Sequence, residues 1–87
     1  MRRPSVSWMT KADDYILELL ADSDLVLSPA VVAYNIDYTR NYVTGRLSTL
    51  TEAGLVERPD SGMYRITETG RAYLAGELDA SELEEYG

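Results

Sequence analysis

The chain has 87 residues, which is room for one small domain and for no separate catalytic domain. It contains neither cysteine nor histidine, so disulfides, thiolate or imidazole metal sites and the usual general base are excluded. The formal net charge is −7, and no apolar run approaches the roughly 20 residues that a bilayer span requires.

The charges are unevenly distributed. Residues 1–37 carry three basic and six acidic side chains, residues 38–67 four and three, and residues 68–87 one and six. The basic residues of the middle segment are Arg40, Arg46, Arg58 and Arg65. Phosphate binding is dominated by positive charge, so this distribution favours one face directed at an anionic partner. The preference for Arg over Lys, together with the abundance of Asp and Glu, resembles proteins from salt-loving organisms, and an ordinary acidic protein is the alternative.

The chain begins with a basic segment that no apolar stretch follows, so we expect no secretory signal and a cytoplasmic protein. Residues 1–9 lack periodicity and are predicted to form an arm, with order beginning near Trp8. Thr10 with Asp13 three residues later is a helix-capping arrangement. An apolar stripe at helical spacing then predicts a helix over about residues 11–22. Its members are Ala12, Tyr15, Ile16, Leu19 and Leu20.

A second, short helix is predicted over residues 29–35. Pro29 fits the first helical position, and Ser28 can cap the free N–H groups. Val32 should lie on its buried side. The preceding residues 25–27 are apolar and predict either a short strand or a buried loop.

A third helix, over about residues 39–53, should begin at Thr39 after a turn. Val43, Leu47 and Leu50 repeat at core spacing and are predicted to face inward. The outward side then consists of Asn41, Thr44, Gly45 and Ser48, with Arg40 and Arg46 at opposite flanks. Gly54 supplies the cap that ends this helix.

A hairpin and a last helix complete the predicted domain. Residues 55–58 and 63–67 are predicted as strands around a turn of Pro, Asp, Ser and Gly. In the last helix Tyr73 should pack inward, and Gly70 should allow a close approach to the sheet. The predicted fold is mostly α with a small β-hairpin, in the order helix, helix, helix, hairpin, helix of a winged helix-turn-helix. The predicted parts are an arm (1–9), the winged-helix domain (10–78) and an acidic tail (79–87).

Two segments carry a family resemblance. Residues 36–56, IDYTRNYVTGRLSTLTEAGLV, resemble the recognition-helix signature of bacterial and archaeal winged-helix regulators, which is a polar cap, a Val, two spaced Leu residues and EAGLV. Residues 63–74 look like the second wing strand of that family running into its last helix. Together with Trp8-Met9 and Ser28-Pro29, they make the chain similar to haloarchaeal winged-helix transcriptional regulators resembling the phage phi-H repressor.

The resemblance implies a repressor-like regulator that binds double-stranded DNA, with helix 39–53 in the major groove and wing 55–67 on the backbone or minor groove. Arg40 and Asn41 are the expected base readers, because Arg pairs with guanine and Asn with adenine. The other expected contacts are Tyr38, Thr39, Tyr42, Thr44 and Arg46 from the helix and Arg58, Ser61 and Arg65 from the wing. Arg2 and Arg3 could contact DNA from the arm. We expect a homodimer, and neither a cofactor nor a small-molecule ligand.

Several alternatives remain open from the residues alone. Arg40 and Asn41 could be solvated, Tyr42 is as able to pack as to bind, and Arg58 and Arg65 could be cross-strand partners of Glu57. Adjacent carboxylates in the first helix diverge by about 100° and sit where the helix dipole favours them, so we expect no paired catalytic site there. We expect no enzyme, because neither a nucleophile with its base nor a metal cluster can be assembled from these residue types. A winged-helix module that binds protein instead of DNA is the alternative function.

Overall fold

The computed structural model of the chain describes residues 7–78, which form four helices and one antiparallel two-stranded hairpin. The elements are α1 (Lys11–Ser23), α2 (Pro29–Ile36), α3 (Arg40–Glu52), β1 (Val56–Asp60), β2 (Met63–Ile66) and α4 (Glu68–Leu74). Their order confirms the predicted winged helix-turn-helix. The predicted contacts of Arg2 and Arg3 and the acidic tail lie outside the described residues. No helix within residues 7–78 is both long enough and apolar enough to cross a membrane.

Side-chain caps begin all four helices of the described chain. At α1 the Thr10 hydroxyl accepts a hydrogen bond from the backbone N–H of Asp13 at 3.2 Å, and the Asp13 carboxylate accepts one from the backbone N–H of Thr10 at 3.0 Å. Ser28, Thr39 and Thr67 cap α2, α3 and α4 in the same way from their hydroxyls. Each such cap stabilises a helix start by about 1 kcal/mol. The starts of α1, α2 and α3 were therefore predicted correctly from residue type.

The core is one apolar cluster to which every element contributes. Its fully buried members are Ile16, Leu17, Leu20, Val32, Val43, Leu47, Leu50 and Leu55. The buried side of α1 differs from the predicted stripe, because Leu17 is inside and Tyr15 is 40% exposed. The reason is that α1 packs against α2, α3, α4 and β2 together, which turns its buried face away from Tyr15.

The hairpin pairs Val56 with Ile66 and is extended by a single bridge to the loop before α2. At that bridge the backbone N–H groups of Leu27 and Tyr64 each donate to the other residue's carbonyl at 2.8 Å. Leu25, by contrast, is 56% exposed. The loop therefore contributes one bridging residue to the sheet, and the expectation of a buried loop was wrong.

Gly70 brings α4 directly against the start of the hairpin. A Cβ at this position would collide with the carbonyl oxygen of Leu55 and would lie 2.6 Å from Cγ1 of Ile66. Only glycine fits such an approach without moving the backbone. This close packing was predicted from the sequence, and it holds the base of the wing in place.

Candidate nucleic-acid interface

One long side of α3 is uncovered by the described chain. Val43, Leu47 and Leu50 are fully buried. The residues that point the other way, Asn41, Thr44, Gly45 and Ser48, are all exposed. No acidic side chain lies in the first turn of this helix. The predicted division of α3 into a core side and a free side is confirmed.

The flank of α3 nearest the wing borders an open groove of about 320 Å³. Its lining residues are Arg40 and Thr44 of α3, Gly62 and Tyr64 of the hairpin, and Ser28, Pro29 and Ala30 at the start of α2. The hydroxyl of Thr44 donates to the carbonyl oxygen of Arg40 at 2.8 Å, so this hydroxyl is engaged within the helix. Within residues 7–78 the Arg40 guanidinium forms no ion pair. Arg40 therefore faces the groove, whereas Asn41 lies on the outward side of α3.

A cluster of three tyrosines covers the other flank at the start of α3. The rings of Tyr38 and Tyr42 are stacked with centroids 5.6 Å apart, and Tyr15 of α1 lies against Tyr38 at 6.4 Å. All three keep between 37% and 41% of their surface exposed. The hydroxyl of Thr39 accepts from the backbone N–H of Tyr42 at 3.2 Å, so Thr39 acts as the helix cap. Tyr42 thus stacks on one ring and still keeps 41% of its surface exposed.

Arg46, farther along the same flank, is bound inside the protein. Its Nε lies 2.8 Å from Oδ1 of Asp13 and its Nη2 lies 2.6 Å from Oδ2. Asp13 is fully buried, while the Arg46 side chain is 21% exposed. Hydrogen bonding to Asp13 raises the pKa of the Arg46 guanidinium above its ordinary value, against the opposing effect of desolvation. A phosphate contact by Arg46 stays a prediction, but two of its nitrogens already have protein partners.

The two wing arginines differ in whether a carboxylate pairs with them. Arg65 forms an ion pair with Glu57, its partner in the strand register, so the cross-strand alternative is confirmed for this residue. Arg58 is exposed and has no ion pair among residues 7–78. Ser61 lies exposed at the tip of the wing. Arg58 and Arg40 are therefore the described cations of α3 and the wing that no carboxylate neutralises.

Two contacts, each at least partly buried, were missed by sequence reasoning. One is the pair of Asp13 with Arg46, and the other is the hydrogen bond that the Tyr73 hydroxyl donates to Asp14 at 2.7 Å. The partners are separated by 33 and 59 positions, so no local pattern connects them. The two adjacent carboxylates were assigned to the dipole of α1, whereas each also holds a different helix against α1.

The arrangement of a capped helix with one free side beside a β-hairpin defines a winged helix-turn-helix protein. Residues 1–86 match the family described as the winged helix-turn-helix phage repressor, and the chain belongs to that family. This is a family of repressor-like regulators and not an enzyme family. The resemblance inferred from the sequence is thereby confirmed.

Two relatives support this assignment. The chain is 39% identical over 83 residues to the repressor protein of Halobacterium phage phiH, covering 91% of this chain and 93% of that protein. It is also similar to the crystal structure of the PhiH1 repressor-like protein from Haloarcula marismortui, with a TM-score of 0.83 and 38% identity. That match covers 92% of each chain. The similarity therefore extends across nearly the whole domain.

Proposed function

We propose that this protein is a transcriptional regulator of the repressor type that binds double-stranded DNA in a sequence-specific manner. In this proposal α3 enters the major groove, and the β1–β2 wing lies on the backbone or in the minor groove. The observation that carries it is the free side of α3, which has no acidic residue in its first turn and is held outward because Val43, Leu47 and Leu50 are fully buried. The major groove, about 12 Å wide, admits one α-helix.

The placement of the side chains supports different roles along α3. Asn41 lies outward in the first turn, where a recognition helix reaches base edges, and its amide can pair with adenine. Arg40 faces the groove beside the wing, from which it can reach a guanine or an adjacent phosphate. Tyr38 and Tyr42 are partly exposed, and their hydroxyls can donate hydrogen bonds to phosphate, which position the helix without reading sequence.

The wing supplies further backbone contacts. Arg58 and Ser61 are exposed near its tip, where they can meet a phosphate or enter the minor groove. Arg65 can join them by leaving Glu57, because both members of that pair are about half exposed. These contacts add affinity, whereas the contacts of α3 would set the sequence preference.

A homodimer on a pseudo-palindromic site follows from the small number of base contacts that one domain offers. Two recognition helices would then occupy half-sites roughly 34 Å apart, one helical turn of DNA. Sedimentation of the protein with a duplex selected as described below should give two chains per duplex. One chain per duplex, bound with the same sequence preference, would contradict the dimer.

The test of DNA recognition is selection from a random duplex pool, followed by titration of the selected duplex. The double variant Arg40→Ala/Asn41→Ala should lose at least about tenfold in affinity for the selected duplex, since a bidentate base contact contributes about 1–3 kcal/mol. Binding to an unrelated duplex should change much less.

The matched control is Arg71→Ala, which removes an arginine from α4, where it pairs with Asp24. This variant should bind the selected duplex as the wild type does. A selection that enriches no duplex would contradict DNA binding and would favour the protein-interaction alternative. Equal losses on selected and unrelated duplexes would contradict base reading by α3.

A further inference from the structure

The ion pair of Asp13 with Arg46 joins α1 to α3 on the flank opposite the wing. Arg46 directly precedes the buried Leu47, and at 100° per residue its side chain leaves the helix about 140° away from that of Asn41. Its guanidinium is accordingly turned toward α1 and away from the outward side of α3. The geometry is that of an internal contact.

This contact restricts orientation as well as distance. Nε and Nη2 of Arg46 meet the two oxygens of Asp13 separately, at 2.8 Å and 2.6 Å. A planar guanidinium bound at two points to a carboxylate has little freedom to tilt. Asp13 is itself held, because its carboxylate also accepts the capping hydrogen bond from the backbone N–H of Thr10. The start of α1 and the middle of α3 are thereby connected through one buried carboxylate.

The same guanidinium reaches a third segment. Nη2 of Arg46 donates to the carbonyl oxygen of Trp8 at 3.2 Å. Trp8 packs against the apolar core from the chain that precedes α1. One side chain of α3 thus fixes the helix against two other parts of the domain.

We propose that Arg46 is a positioning residue for DNA binding: through Asp13 it holds α3 at the angle at which the helix enters the groove, and it neutralises no phosphate. This inference rests on the proposed function, because it assigns a role within DNA binding. It reverses the expectation drawn from sequence, in which Arg46 contacts the backbone. The two roles differ in what they predict for the salt dependence of binding.

The first test is Asp13→Asn, which keeps an oxygen for the Thr10 N–H but weakens the contact with Arg46. Removal of a negative charge by itself favours DNA binding. If the contact orients α3, the affinity for the selected duplex should instead fall by about tenfold, which corresponds to a typical coupling energy between two residues in contact. Asp22→Asn is the matched control, because it removes the same charge from an exposed position of α1. It should bind at least as tightly as the wild type.

The second test separates positioning from phosphate contact. The double variant Asp13→Asn/Arg46→Gln has the net charge of the wild type and leaves no buried charge unpaired. A lost phosphate contact would reduce the slope of log K against log[KCl] by about 0.9 for each protomer. For a positioning residue the slope is unchanged and only the affinity falls. Arg46→Lys extends this test, because lysine keeps the charge but not the fork and should bind no better than the double variant.

Each variant is first checked for folding by circular dichroism, and binding is measured where the protein is folded. If Asp13→Asn does not fold, the double variant decides through its slope. Provided that the wild type binds the duplex, any of three results overturns the inference. The first is a reduced salt slope for the double variant, the second is wild-type affinity in Asp13→Asn or in the double variant, and the third is wild-type affinity in Arg46→Lys. A wild type that binds no duplex overturns the proposed function, and this inference falls with it.

Discussion

Two arginines of the elements proposed to meet DNA, Arg46 of α3 and Arg65 of the wing, each pair with a carboxylate, and the two pairs differ in burial. Asp13 is fully buried and Arg46 is 21% exposed, whereas Glu57 and Arg65 are 46% and 52% exposed. Removing one partner of a buried pair costs about 3–5 kcal/mol, because the other charge is left without water or a partner. An exposed pair contributes at most about 1 kcal/mol.

The difference shows that burial decides which arginine is available to a ligand. Glu57 can return to water when Arg65 leaves it, so Arg65 can exchange its carboxylate for a phosphate at low cost. Asp13 has no access to water, so Arg46 cannot leave it without stranding a buried charge. The pair of Asp13 and Arg46 therefore stabilises the packing of α1 on α3, whereas the pair of Glu57 and Arg65 is an exposed surface contact.

The largest expected effect is on the buried pair. Arg46→Ala should lower the free energy of unfolding by about 3 kcal/mol, because it leaves Asp13 buried and charged. Urea denaturation followed by circular dichroism measures this loss. Arg40→Ala, on the same helix but exposed, is the control and should change stability by no more than about 0.5 kcal/mol. Similar small losses in both variants would show that the buried pair stabilises the domain no more than an exposed, unpaired arginine does.

The neighbouring carboxylate, Asp14, accepts a hydrogen bond from the uncharged hydroxyl of Tyr73 and extends the comparison to a pair with one charge. Tyr73→Phe removes the hydroxyl that donates to Asp14 at 2.7 Å and should cost about 1.5 kcal/mol, as expected for a hydrogen bond to a charged group. Thermal and urea unfolding both report this change. Tyr34→Phe serves as the control, since Tyr34 is 87% exposed and should be indifferent to the loss of its hydroxyl. An unchanged stability of Tyr73→Phe would mean that solvent replaces the hydroxyl.

Breaking the exposed pair of Glu57 and Arg65 should lower the stability only slightly, and salt should abolish this loss. Arg65→Ala is expected to cost less than about 1 kcal/mol in dilute buffer and nearly nothing at about 1 M KCl, where the screening length is about 3 Å. The loss in Arg46→Ala should persist at that salt concentration. Urea titrations of both variants at the two salt concentrations make the comparison. A loss in Arg65→Ala that is insensitive to KCl would show that its pair is not exposed in solution.

The smallest expected effect is that of pH. The folded pKa of Arg46 is raised, so its contribution to stability is complete below the unfolded pKa and is lost only as pH rises through the folded value. That window lies far above neutral pH. With no histidine or cysteine in the sequence, the unfolding midpoint should be nearly constant between about pH 6 and about pH 9. A transition within that interval would point to a titrating group other than Arg46.

Most local structure could be predicted because its causes are local. A hydroxyl before each helix, Pro29 at the start of α2 and the spacing of Val43, Leu47 and Leu50 each act within a few residues. The α1 stripe was misjudged at Tyr15, since the number of elements that pack on a helix is not encoded within that helix.

The candidate interface could be predicted in outline for the same reason. Once three apolar positions of α3 face the core, geometry leaves Asn41 and its neighbours outside. The state of each arginine could not be predicted, because it depends on whether a carboxylate from another part of the chain reaches it. Register made Glu57 a foreseeable partner of Arg65, whereas nothing near Arg46 in sequence indicates Asp13.

The sequence by itself determined the helix starts, the inward side of α3 and the winged-helix order, because capping, periodicity and turn formation act over short stretches of chain. Only the tertiary structure decided which charges remain free. Folding places Asp13 beside Arg46 across 33 positions and removes it from water, and the energy of an ion pair depends on that burial more than on the residues that form it.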